Sequence, residues 1–150
     1  MALLNNPVAL IITANLVVQI TVLFLLAYGY LLKRKLKFRQ HGLTMSTALV
    51  LHLIMAVFIM IPSFVFAVIR EYIIPAPLAL TSVVALIHGI LGSAALSLGV
   101  FIVGSWRFRK NFQGCFERKK YMLKTLIVWV AALVFGIVLY AIFIGPILKG

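Results

Sequence analysis

Residues 80–103, Leu80 to Val103, read LTSVVALIHGILGSAALSLGVFIV: twenty-four residues without a formal charge. At a rise of about 1.5 Å per residue, a helix of that length outreaches the roughly 30 Å hydrocarbon core of a bilayer. The stretch therefore reads as a transmembrane helix. It carries His88 near its middle. An ionisable side chain at that depth is expensive, which makes it a functional-site candidate by default.

The remaining sequence is of the same kind. The 150 residues are 65% hydrophobic and 11% charged, with a mean hydropathy of +1.20. An ordinary soluble domain carries about 25% charged residues. The composition predicts an integral membrane protein of one all-α domain, with spans at about 8–32, 43–69, 77–105 and 121–148. The net charge of +12 is concentrated between spans. Lys33, Arg34, Lys35, Lys37 and Arg39 form one cluster; Arg107, Arg109, Lys110, Arg118, Lys119, Lys120 and Lys124 form the other. Both are short loops, so nucleic-acid binding is not the reading, and the positive-inside rule accounts for them. Both loops are expected on the cytoplasmic side of a prokaryotic plasma membrane, with both termini outside. Short connections make neighbouring helices antiparallel, giving an up-down four-helix bundle.

The ends and loops add detail. The N-terminal stretch lacks a basic n-region and runs into an apolar segment too long for a signal-peptide core, so a retained helix is expected. Pro7 suits its first turn, with Asn5 or Asn6 as cap. The second loop alternates cations with Trp106, Phe108, Phe112 and Phe116. Between two spans this reads as a lipid interface carried by Arg107, Arg109, Lys110, Arg118, Lys119 and Lys120, each worth about 1 kcal/mol near anionic headgroups. Cys115 is the lone cysteine, so neither a disulfide nor a Cys/His metal spacing exists in the sequence.

Polar residues inside the spans are few. Asn15 and Gln19 are four apart and share a helix face, either for helix-to-helix hydrogen bonds or for a ligand such as a quinone. His41 closes the first basic loop and reads as an interfacial, solvated histidine. Pro62 in span two leaves a carbonyl unpaired and predicts a kink. Span three carries small residues at Ala85, Gly89, Gly92, Ser93, Ala95, Ser97 and Gly99, which admit a close neighbour.

The two acids, Glu71 and Glu117, fall in loops on opposite sides. A carboxylate dyad, a Ser-His-Asp triad and a carboxylate-lined proton path are therefore not available in the spans, and no enzyme activity is expected. His52 and His88 remain. His52 lies about 13 Å from the basic end of its span, and His88 about 16 Å from the other end of the next. In a core of about 30 Å these are nearly the same level. Two neutral imidazoles there could ligate a b-type haem or copper, or simply hydrogen-bond helix carbonyls. Both readings stand at this point.

Three segments carry a family resemblance: HGLTM (His41–Met45), LIHGILG (Leu86–Gly92) and ERKKYMLKTLIVWVAALVFGIVLY (Glu117–Tyr140). They resemble the small bacterial and archaeal membrane proteins grouped as domain of unknown function 420, a family that includes a maturation factor for haem-copper cytochrome oxidase. The chain departs from the family pattern at Glu117, where a histidine is usual, and lacks a histidine at the far end of span two. The resemblance implies a metal role for His41 and His88. It also implies partners in a respiratory complex, with the protein as accessory or assembly subunit. Two alternatives are a small b-type cytochrome with His52 and His88 as haem ligands, and a purely structural subunit.

Overall fold

The computed structural model describes residues 7–108 and 119–149. The described residues contain four long helices and no strand: α1 is Pro7–Arg34, α2 Phe38–Ile73, α3 Leu80–Phe108 and α4 Lys119–Lys149. Each is long and apolar enough to cross a membrane. The protein is a multi-pass membrane protein built as a four-helix bundle.

The helix ends differ from the expected spans for a physical reason. Hydropathy marks where lipid ends, whereas a helix ends where the backbone turns. The basic stretch from Phe38 onward has no turn residue before Gly42, so α2 begins five residues before Leu43. Pro75 and Pro77 cannot donate to a helix ladder, so α3 begins at Leu80 rather than at 77.

Neighbouring helices run antiparallel, as side-chain contacts along their length establish. Met45 of α2 packs on Gly29 of α1. Leu49 and Phe64 of α2 reach Gly99 and Gly89 of α3. Trp129 and Gly136 of α4 meet Gly99 and His88 of α3, and Thr13 of α1 shares a 3.4 Å hydrogen bond with Tyr140 of α4. The core along the axis is Val22, Leu26, Ala48, Leu49, Ala95, Trp129 and Leu133. Two of these are alanines, which let backbones approach where lipid gives no hydrophobic drive to association. Large residues such as Phe24, Phe58, Phe66, Ile90 and Phe101 face outward, onto the bilayer. The small-residue stripe of α3 splits: Ala85, Ala95 and Gly99 are buried, Ser93 and Ser97 are exposed, and Gly92 has open space around it.

Helices α1 and α2 are joined by Lys35–Lys37 alone. The Leu36 N–H donates to the Lys33 carbonyl at 3.1 Å and the Lys37 N–H to the Leu32 carbonyl at 3.0 Å. That is a Schellman closure, which puts Leu36 at the left-handed position, φ 58°. Glycine is usual there, because a Cβ in that conformation costs about 1–2 kcal/mol. Leu36 is 70% exposed and has little packing to lose. Leu36→Gly is therefore expected to stabilise the protein by about 1 kcal/mol, read as a higher midpoint in SDS-induced unfolding. A lower midpoint would mean that the leucine side chain, not the backbone strain, dominates.

Pro62 lies between two departures from the regular α ladder of α2. Its missing N–H and its ring disturb the ladder, and α2 takes up the disturbance as two π-helical stretches, Ala56–Met60 and Phe64–Ile73, around a short α segment Ile61–Ser63. The Ile61 N–H accordingly donates to the carbonyl of Ala56, and that of Ile74 to Ile69 at 2.9 Å. At the turn that follows, the fully buried Ser82 hydroxyl lies 2.9 Å from the Tyr72 carbonyl and 2.8 Å from that of Ala76. One proton shared between them ties the end of α2 to the start of α3.

Candidate functional site: a polar string inside the bundle

In the middle of the bundle, α1 presents Gln19, buried and facing α2. The His52 Nδ1–H donates to Gln19 Oε1 at 3.1 Å. The opposite side of His52 meets the Trp129 ring edge-on, with centroids 5.2 Å apart and planes inclined at 61°. Asn15 lies one turn along α1 from Gln19. Three buried polar atoms in this string, Asn15 Oδ1, Gln19 Nε2 and Trp129 Nε1, have no hydrogen-bond partner among the described residues. In hydrocarbon such atoms are costly. The expected pairing of Asn15 with Gln19 on an inward face holds, and Gln19 does make a helix-to-helix bond.

His88 is held one step further along. Its Nδ1–H donates to the Ala132 carbonyl on α4 at 2.9 Å. The ring lies against Gly136, so closely that a Cβ there would stand 2.9 Å from His88 Cε1. A glycine is what lets the imidazole reach the α4 backbone. Because a carbonyl or amide oxygen only accepts, Nδ1 carries the proton in both rings, and Nε2 of the neutral imidazole keeps its lone pair.

Trp129 marks the His52 level on α4, and Ala132 and Gly136 mark that of His88. The two rings are thus one to two turns apart along the axis, about 5–10 Å, rather than at one level. The difference arises because both reference ends moved when α2 began earlier and α3 later than hydropathy alone implies. Ala132 and Leu133, 2% and 5% exposed, fill the interval on α4. The two rings thus stand in separate settings, His52 against Gln19 and Trp129 and His88 against Ala132 and Gly136.

His41 is not the solvated loop residue expected. It lies in the first turn of α2, only 7% exposed, and its Nδ1–H donates to the Gly29 carbonyl at 2.7 Å. A histidine inside a helix that enters the bundle must find a partner, and the backbone of α1 supplies one. It stands eleven residues from His52 on α2, about 16 Å, and His88 is farther still. The structure thus does not bring His41 and His88 together as a metal pair. No group of three or more His, Cys, Asp or Glu able to hold a metal occurs among the described residues.

Near His41 the four helices part around a cavity of about 90 Å³. Leu26 and Lys33 line it from α1, His41 from α2, Gly99 from α3, and Thr125 and Trp129 from α4. Of the lipid-interface residues, Arg109, Lys110 and Arg118 lie outside the described residues, as do the side chains of Arg107, Lys119 and Lys120. Sequence reasoning passed over Trp129. The available signal was its depth: ten residues into α4, about 15 Å, where an indole belongs neither to the aromatic belt nor to bulk lipid.

Compared with protein families, curated proteins and solved structures, the chain finds no match in any of the three. The likeness noted at His41–Met45, Leu86–Gly92 and Glu117–Tyr140 rests on those residues alone.

Proposed function

We propose that this protein is an accessory or assembly subunit of a respiratory membrane complex of the terminal haem-copper oxidase type, with no catalytic chemistry of its own. The observation that carries the reading is how the histidines are used. Each spends its Nδ1–H on joining one helix to another: His41 and His52 join α2 to α1, and His88 joins α3 to α4. Imidazoles used in this way set the register of a bundle. They leave the outward faces for lipid and for neighbouring membrane subunits. The three resembling segments supply the link to oxidase maturation. The charge distribution supplies the seat, a prokaryotic plasma membrane with basic loops in the cytoplasm.

The test is isolation of the tagged protein from its own membranes in mild detergent, alongside a deletion strain. Oxidase subunits are expected to co-purify, and the deletion strain is expected to lose most of the assembled oxidase signal from its membrane spectrum. Normal oxidase content with no respiratory polypeptide in the eluate would defeat the reading. One observation favours a b-type cytochrome instead: His52 and His88 both keep an Nε2 lone pair, the nitrogen a metal would take. A reduced-minus-oxidised spectrum with about one haem per chain would establish that reading.

A further inference from the structure

We propose that the cavity at the basic end holds one acyl chain of an anionic phospholipid, drawn from the leaflet that meets the basic loops, with its phosphate at Lys33. The shape comes first. From Leu26 to Lys33 on α1, and from Met122 to Trp129 on α4, the lining covers seven residues, about 10 Å of depth. A volume of about 90 Å³ over that length suits a hydrocarbon chain in single file. Direction comes second. Lys33 stands at the end of the cavity nearest the basic connector and Trp129 at the deep end, so the cavity runs the way a lipid tail of that leaflet runs.

The chemistry of the walls favours hydrocarbon over water. Leu26, Ile102 and Leu126 are apolar, and two of the polar groups beside them already have partners. His41 donates to Gly29, and the Thr125 hydroxyl donates to the Tyr121 carbonyl at 2.9 Å. Charge supplies the head. Lys33 is half-buried, and no carboxylate pairs with it among the described residues. Glu71, the described acid, sits at the far end of α2. Arg34, Lys35, Lys37 and Arg39 add to the positive field around it. A compact ammonium in such a position suits a phosphodiester.

Trp129 is the reporter, because it forms the floor of the cavity yet is only 4% exposed, beyond reach of the lipids surrounding the bundle. The full-length protein carrying Trp106→Phe, which leaves Trp129 as its single indole, is reconstituted into phosphatidylcholine vesicles. A minor fraction of phosphatidylglycerol or of phosphatidylcholine, brominated at mid-chain, is then added to separate preparations. Brominated phosphatidylglycerol is expected to quench Trp129 with about fivefold preference over the neutral lipid, the ratio one lysine beside an anionic headgroup supplies. Lys33→Gln is expected to lower that preference toward one while quenching persists. Val103→Phe, which fills the cavity, is expected to abolish quenching, and Leu126→Phe does the same from the facing helix should the first variant fail to fold. Val100→Phe, on the lipid-facing side, is expected to leave it unchanged. Absence of quenching by either lipid would overturn the proposal, as would quenching that survives both fillers. Equal quenching by the two lipids in the unmodified cavity would overturn the anionic headgroup.

Discussion

Trp129→Ala is expected to destabilise the protein by about 3–5 kcal/mol, the cost of removing a large side chain from a packed interior. The indole, carried on α4, packs against two other helices at once. It faces Gly99 and lies near Leu49, which meets the same glycine, and its edge carries the His52 ring. It also floors an existing cavity, so collapse of the surroundings cannot readily refill the space. The measurement is the SDS-unfolding free energy in mixed micelles. Trp129→Phe is the informative companion. Because Trp129 Nε1 has no hydrogen-bond partner among the described residues, loss of the N–H gives up no bond. The phenylalanine variant is therefore expected to cost no more than about 1.5 kcal/mol. An alanine variant as stable as the wild type would show that the core does not pivot on this residue. A phenylalanine variant as unstable as alanine would show that the N–H has an acceptor after all.

The second large effect is at Gly136. A valine there puts its Cβ 2.9 Å from His88 Cε1. The ring must leave, and with it goes the bond to the Ala132 carbonyl. Overpacking and a buried polar group left unpaired together are expected to cost about 2–4 kcal/mol. Gly92→Val is the control, since nothing stands within 4 Å of the position where its Cβ would be. It is expected to change stability by no more than about 0.5 kcal/mol. Adding His88→Ala to Gly136→Val removes the colliding ring, so the pair is expected to be markedly less than additive. Strict additivity would mean that the two residues do not meet.

Much of this architecture was legible in the sequence. Apolar runs bounded by two basic clusters fix four spans and their alternation, because charge and hydrocarbon do not mix. The inward face of Asn15 and Gln19 followed from helical spacing alone. What stayed hidden depends on three-dimensional register. The basic neighbours of His41 point to a solvated residue, yet a helix takes lysine and arginine readily and carries the ring onto Gly29. The two π stretches of α2 depend on a shift in hydrogen-bond partner that Pro62 hints at without determining. Trp129 joins His52 only because α4 is rotated to bring it there, and no pattern within one span reveals the rotation of a helix against its neighbours.

The three-residue link between α1 and α2 bears on how the chain is born. With Lys35–Lys37 as the whole connection, the second helix cannot stray far from the first once both have left the ribosome. His41 finds an acceptor twelve residues behind it and His52 thirty-three behind, both already synthesised. His88 has no such luck, because its acceptor on Ala132 lies forty-four residues ahead. At roughly 5–20 residues per second, that histidine waits some 2–9 s in or near the bilayer before its partner exists. The histidines of the first half can thus settle as they are made, while that of the second half must wait, and the imidazole of α3 is the histidine of the nascent chain most in need of protection during that interval.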